Sequence, residues 1–109
     1  MAYNKSSAER IRNEMRKNQG FVEKKMFGGV CFLLNGNMAC GILNDDIIVR
    51  VGKVAYEDCL ALSHTRQFDM TGRPMTGWVM VSPEGYQSDA ELKAWLQRGI
   101  DFAQSLPPK

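Results

Sequence analysis

The dipeptide Asn35-Gly36, which stands between two apolar runs, constrains the fold of this chain more than any other feature. A two-residue type I′ hairpin loop needs positive φ at both positions, and Asn-Gly tolerates that conformation well. Residues 22–34 before the turn predict one long strand, or two strands broken at Gly28-Gly29. Residues 37–43 predict the strand that returns beside them, so we expect an antiparallel hairpin here.

Three more segments have the composition of strands. Asn44-Asp45-Asp46 is typical of a turn, and the β-branched residues 47–51 that follow it predict the next strand. Residues 66–70 and 77–82 predict two later strands joined by a loop. Consecutive strands joined by short turns are typical of an antiparallel sheet.

Helical signals lie before, between and after these strands. Ser6-Ser7-Ala8-Glu9 fits a capping box that starts a first helix, and residues 53–63 predict a second. The first is expected to face the core with Ala8, Ile11 and Met15, and the second with Ala55, Cys59 and Leu62.

The last helix has the clearest pattern. Ser88-Asp89-Ala90-Glu91 is another capping box, and Pro107-Pro108 ends the segment. Apolar residues at helical spacing predict a buried stripe made of Leu92, Trp95, Leu96, Gly99, Phe102, Ala103 and Leu106. The predicted order is therefore α-β(3)-α-β(2)-α, an α+β class with an antiparallel sheet. With 109 residues, the chain is expected to form one domain over residues 1–109.

Composition indicates the environment of this domain. No stretch approaches the ~20 apolar residues that span a membrane, and the N-terminus lacks the apolar core of a signal peptide. We therefore expect a cytoplasmic protein with no membrane partner.

Basic residues are concentrated near the N-terminus. Residues 1–25 hold seven bases and three acids, a net charge of +4, whereas the whole chain carries +2. The candidate basic contact surface consists of Arg12, Arg16, Lys24 and Lys25. Such a segment fits an acidic protein face or nucleic acid, or it is simply the solvated side of a helix. The charges are spread around the helix, so we expect DNA binding to be weak at most.

The three cysteines, Cys31, Cys40 and Cys59, are odd in number and follow no metal-binding spacing. We expect reduced, buried thiols and no metal. If residues 35 and 36 form a two-residue loop, Cys31 and Cys40 are directly opposed across the hairpin.

No catalytic constellation is visible in the sequence. His64 is the only histidine, and it has no evident nucleophile or orienting acid beside it. Gly28-Gly29 is followed by a strand, whereas a phosphate loop is followed by a helix, so these glycines indicate a bulge or a close backbone approach. We expect no catalytic residues and no cofactor.

Four segments together resemble a known family over roughly residues 8–106. They are Lys25-Met26-Phe27-Gly28-Gly29-Val30, Asn35-Gly36-Asn37-Met38, Pro74-Met75 before Trp78, and Glu91-Leu92-Lys93-Ala94-Trp95. These segments look like the TfoX N-terminal domain family, with Met26, Phe27, Gly28 and Gly29 as its structural signature.

The resemblance implies a fold similar to that of the secretion chaperones, often dimeric, with no established enzymatic activity. The family's namesakes are bacterial regulators of DNA competence, also called Sxy, that work with the transcription machinery. Because this chain ends soon after the last helix, we expect it to lack the C-terminal helical domain of the full-length regulators.

Two classes of function follow from these observations. The first is a non-enzymatic regulatory module that contacts a protein partner, with the homodimer as one form and methionines as adaptable contacts. These are Met26, Met38, Met70, Met75 and Met80. The second is a small ligand-binding domain or enzyme, which needs an apolar pocket where Arg50, Arg66 and Arg73 converge.

Overall fold

The computed structural model describes residues 3–26, 28–68 and 75–108, and of Met26 it describes the backbone alone. Within these residues lie three α-helices and six strands. In chain order they are α1 (Lys5–Met15), β1 (Phe21–Met26), β2 (Gly29–Leu34), β3 (Asn37–Leu43), β4 (Asp46–Arg50), α2 (Lys53–Leu60), β5 (Thr65–Gln67), β6 (Trp78–Val81) and α3 (Asp89–Gln104). A short 3-10 turn, Pro83–Gly85, precedes α3.

The strands form a single antiparallel sheet in the order β1-β2-β3-β4-β6-β5. This confirms the α+β class and the predicted alternation of helices and strands. Of the two alternatives for residues 22–34, the broken strand is the correct one, because the chain reverses between Met26 and Gly29. The first run therefore contains four strands. Of the predicted strand 66–70, residues 69 and 70 lie outside the described part of the chain.

The Asn35-Gly36 hairpin forms as predicted, with φ of 54° and 85° at its two positions. Leu34 pairs with Asn37 and Leu33 pairs with Met38, as a two-residue loop requires. The next pair is Phe32 with Cys40, because the register shifts at this point and leaves Ala39 as an extra residue in β3.

The prediction that Cys31 and Cys40 face each other is therefore wrong. Beyond the bulge Cys31 pairs with Gly41, and Cys40 pairs with Phe32. Adjacent residues of a strand point to opposite faces, so the two thiols lie on opposite sides of the sheet. A bulge cannot be read from the turn that precedes it, because the turn sets the register of the nearest pairs alone.

Helix α3 packs across the sheet on β3 and β4. Its predicted capping box is present, since the Ser88 side chain accepts a hydrogen bond from the Glu91 amide and the Glu91 side chain accepts one from the Ser88 amide. Trp95 is buried, with 7% of its surface exposed. The buried stripe also includes Ile100, whereas the predicted members Phe102 and Leu106 are half-buried.

Gly99 is the point of closest approach between α3 and the sheet. A Cβ atom at this position would lie 2.3 Å from the carbonyl oxygen of Ala39, well inside the normal contact distance. Ala39 and Cys40 both belong to the core beneath the helices, since the bulge turns two consecutive residues to the same side. The absence of a side chain at Gly99 therefore leaves room for the backbone of the bulge at Ala39.

Two helix boundaries differ from the prediction. Helix α1 is capped by Asn4, whose side chain accepts a hydrogen bond from the Ser7 amide at 3.0 Å, and not by Ser6. The reason is non-local: the Asn4 amide donates to the carbonyl of Asn44, which holds the chain against the β3–β4 turn.

Helix α2 stops at Leu60, three residues earlier than predicted. The Thr65 hydroxyl lies 2.6 Å from the carbonyl oxygen of Leu62 and also contacts the last carbonyls of the helix. As a result Leu62 is exposed instead of facing the core, and Tyr56 takes a core position that the pattern did not indicate. No helix in the described ranges is both long enough and apolar enough to cross a lipid bilayer.

Candidate functional site

All three helices contact the same side of the sheet. Side chains on this side, from Val30, Phe32, Ile47 and Val49 among others, form the main core with α1, α2 and α3. The opposite side is called the open face here, because no helix of the described residues packs on it. By strand alternation its apolar residues are Val22, Cys31, Leu33, Met38, Leu43, Ile48, Trp78 and Met80. Its charged residues are Lys24, Asp46, Arg50 and Arg66.

The open face is apolar at its centre. Ile48, Met80 and Phe68 form a second buried cluster, and Met38, Leu43 and Trp78 pack around it half-exposed. Beside this cluster Met75 is 37% exposed, and at the edge of the sheet Val22 is 46% exposed. A sheet side that keeps this much accessible apolar surface is typical of an interaction surface.

Charged residues lie around this apolar centre. Lys24 is exposed on β1, and Arg66 of β5 forms an ion pair with Asp46 of β4. Since the charges of Asp46 and Arg66 offset each other, the net charge of these three residues is positive and comes from Lys24.

The four residues of the candidate basic contact surface lie on different parts of the fold and make different contacts. The Arg12 guanidinium donates to both carboxylate oxygens of Glu23, at 2.5 and 2.8 Å, and so joins α1 to β1. The hydrogen bonds from Arg12 hold the pKa of Glu23 below its usual range. Lys25 lies on the same side as Glu23, whereas Lys24 points to the open face, because neighbouring residues of a strand alternate. Arg16 is exposed on the turn after α1.

Two further bases of the N-terminal segment have partners elsewhere. Arg10 donates hydrogen bonds to the carbonyls of Tyr86 and Gln87, both at 3.1 Å, and Lys17 pairs with Glu14. Arg10 and Lys17, together with the four residues of the candidate basic contact surface, therefore do not form the continuous patch that a nucleic-acid interface would present.

The glycines of the family signature are needed by the backbone. Gly28 has φ of 75°, in the left-handed region, and a Cβ atom on Gly29 would lie 2.2 Å from the carbonyl oxygen of Ile42. The expected close approach is thus present at the start of β2. Phe27 and the Met26 side chain lie outside the described part of the structure.

The three cysteines are buried and free. Burial raises the pKa of the Cys31, Cys40 and Cys59 thiols, which keeps them protonated and poorly nucleophilic. The Cys59 thiol also accepts a hydrogen bond from Arg98 at 3.5 Å. Over the residues described, no three His, Cys, Asp or Glu side chains are grouped as a metal site requires.

Of the three arginines proposed for a ligand pocket, the two that the structure describes do not converge. Arg66 binds Asp46 at one end of β4, while Arg50 stands at the other end of the same strand. The Arg50 guanidinium lies 5.1 Å from the ring centre of Trp78 and 5.2 Å from that of Phe102. Arg73 and Met70 belong to the residues not described. This grouping of Arg50 with two rings was missed, because it depends on the pairing of β4 with β6 and on the position of α3.

Comparison with known proteins identifies the family. The sequence model of the TfoX N-terminal domain matches residues 14–103, which include β1 through nearly all of α3. Neither the curated proteins nor the solved structures contain a significant match. Because the family match covers most of the sequence and agrees with the segments that suggested it, this chain belongs to the TfoX N-terminal domain family.

Proposed function

We propose that this chain is a non-enzymatic regulatory domain that acts by binding another protein through its open face. The family supports a regulatory, competence-related role. The observation that carries the proposal is the half-exposed apolar centre around Met38, Leu43 and Trp78, which no helix of the described residues covers. The free, buried thiols suit a reducing compartment, and we infer a cytoplasmic location.

The chemistry of the face indicates what kind of partner it binds. Methionine side chains adapt to different apolar surfaces, so Met38, Met75 and Met80 suit an amphipathic segment. Lys24 at the edge is exposed and has no ion-pair partner among the described residues, which suits acidic residues beside that segment. A second copy of this chain, placed face to face, would instead bring like charges together. We therefore commit to an apolar segment with acidic flanks, supplied by a different protein.

The same reasoning argues against DNA as the main ligand. Arg10, Arg12 and Lys17 already bind protein groups, and the remaining bases point in different directions. A protein that reads DNA places cations along one surface to meet successive phosphates. Lys5, Arg16, Lys24 and Lys25 do not provide such a surface.

Site-specific photocrosslinking in cells tests the proposal. A photoreactive residue at Met38 on the open face should capture a partner, whereas one at the exposed Asn13 on α1 should not. The captured protein is then purified, and its affinity for the native domain and for Met38→Glu is measured by calorimetry. We expect Met38→Glu to weaken binding by at least about tenfold, which corresponds to about 1.4 kcal/mol. Asn13→Glu is the matched control and should bind as the native domain does.

Three results would contradict the proposal. Equal crosslinking from Asn13 and Met38 would show that the open face is not the contact surface. Light scattering that shows a stable dimer, broken by Met38→Glu, would make the second copy the occupant. Tight, salt-sensitive binding to a labelled duplex, lost in Arg12→Ala with Arg16→Ala, would replace the protein partner with nucleic acid.

A further inference from the structure

We propose that the cleft between Arg50, Lys53, Trp78 and Phe102 binds the phosphate group of a small molecule. This cleft has a volume of about 90 Å³ and lies where β4 ends and α2 begins. Thr76, Gly77 and Gly52 complete its wall. It shares Trp78 with the apolar centre of the open face, whereas its two cations, Arg50 and Lys53, are not members of that centre. The proposal therefore does not need the protein contact proposed above.

The first observation is the state of Arg50. Its guanidinium lies over the rings of Trp78 and Phe102, both within cation–π distance, and the side chain is half-buried. Stacking occupies the flat faces of a guanidinium and leaves its N–H groups around the edge as donors. Among the described residues, none accepts a hydrogen bond from Arg50 and none forms an ion pair with it. The Arg50 guanidinium is therefore held in a fixed position with N–H groups free to donate hydrogen bonds to an anionic ligand.

The second observation is a concentration of positive charge: Arg50 and Lys53 line the same cleft, and neither forms an ion pair with any described residue. Lys53 is the first residue of α2, where the helix dipole is positive and an acidic residue would be favourable. The first turn of α2 contains no acidic residue, and no side chain caps it. Lys53 and Arg50 therefore place two cations beside the unsatisfied amides of a helix start. In the absence of an anion this arrangement is unfavourable, which is typical of a site selected for binding.

The shape of the cleft also depends on two glycines. Gly52 and Gly77 have φ of 85° and 95°, and the Gly77 carbonyl accepts hydrogen bonds from the amides of both Val51 and Gly52. A Cβ atom on Gly52 would lie 2.5 Å from the Phe102 ring, so a glycine is needed for the ring to approach Arg50. These contacts fix the backbone and leave the cleft bounded by cations and rings.

A phosphate group matches these donors better than a carboxylate does. Two cations suit a doubly charged anion, and its several oxygens can accept from the guanidinium edge, the ammonium and the backbone amides together. The volume is sufficient for one tetrahedral oxyanion and not for a large ligand to be enclosed. The rest of a phosphorylated molecule would project into solvent past Lys53, which is exposed.

Titration of the isotope-labelled full chain with inorganic phosphate, followed by NMR, tests this site. We expect saturable shifts at the amides of residues 53–55 and at the Arg50 Nε–H, with little change at α1. Arg50→Gln should weaken phosphate binding by about tenfold or more. Because that change also removes ring stacking, Lys53→Gln is the second variant, as Lys53 is exposed and its loss leaves the core intact. It should weaken binding severalfold.

Arg66→Gln is the matched control, since Arg66 is an arginine of the same sheet whose partner is Asp46. It should bind phosphate as the native chain does. Absence of saturation, shifts confined to other residues, or equal binding by the native chain and Lys53→Gln would overturn the proposal. Acetate that binds as tightly as phosphate would also overturn it.

A further titration identifies the source of the phosphate group. Glycerol phosphate that binds at least as well as inorganic phosphate supports a phosphorylated small molecule. If inorganic phosphate binds to the cleft and glycerol phosphate does not, the proposal of a phosphorylated molecule is overturned in favour of the free ion.

Discussion

Replacing Gly99 by alanine tests the contact between α3 and the sheet bulge. The new Cβ atom would lie 2.3 Å from the Ala39 carbonyl oxygen and 3.1 Å from its carbon. An ordinary carbon–oxygen contact needs about 3.3 Å, so the helix and the strand must separate by about 1 Å. Ala39 belongs to the backbone of a paired strand and cannot rotate away as a flexible side chain would.

Two opposing effects determine the result. Alanine in the middle of a helix is favoured over glycine by up to about 1 kcal/mol. Inserting a group into a packed core costs about 1–3 kcal/mol. Because the atom in conflict is backbone, we expect the upper part of that range and a net loss of about 1–2 kcal/mol. For a domain of this size, each kcal/mol of lost stability lowers the melting temperature by about 4–8 °C.

Urea unfolding followed by circular dichroism measures this change. Ala94→Gly is the control, because Ala94 is exposed on the same helix and reports helix propensity without a steric conflict. It should cost up to about 1 kcal/mol. If Gly99→Ala is as stable as the native chain, or more so, the close approach of α3 to the bulge is not a real constraint and the packing described here is wrong.

Three further changes test other parts of the structure. Trp95→Ala should cost about 3–5 kcal/mol, and an unchanged melting temperature would show that the buried stripe is misassigned. The Glu23→Gln variant should be less stable than the native chain at neutral pH. Since the pKa of Glu23 is lowered by folding, the ion pair stabilises above the ordinary pKa of 4.5, and the difference should disappear as the pH falls through the folded pKa. The buried thiols should react with iodoacetamide far more slowly in the native chain than in urea, and fast native labelling would contradict their burial.

Local signals predicted much of the fold. Asn35-Gly36 and the Ser88 capping box each act through residues within a few positions, so the hairpin and the start of α3 could be read from the sequence. The Asn4 cap of α1 depends instead on a hydrogen bond to Asn44, far along the chain. The Ala39 bulge packs against Gly99 of α3, a contact between residues far apart in the sequence that local signals do not reveal.

The candidate sites, too, were predictable only where they depend on local sequence and not on contacts between distant residues. The composition of the strands predicted an antiparallel sheet, but the residues of the open face are known only from the pairing of its strands. The cleft at Arg50 could not be predicted, because Arg50 and Trp78 are neighbours through the pairing of β4 with β6, and Phe102 reaches them from α3. The basic segment was misleading as a single surface, since sequence spacing does not reveal that Glu23 engages Arg12 or that Lys24 and Lys25 point apart.

The bulge at Ala39 also determines whether Cys31 and Cys40 can form a disulfide. A bridge requires two Cβ atoms that point toward each other, and the register shift leaves Cys31 and Cys40 on opposite sides of one sheet. Oxidation therefore has no low-energy route to an internal crosslink in the native hairpin. The native hairpin should therefore keep Cys31 and Cys40 as separate thiols in both reducing and oxidising solution.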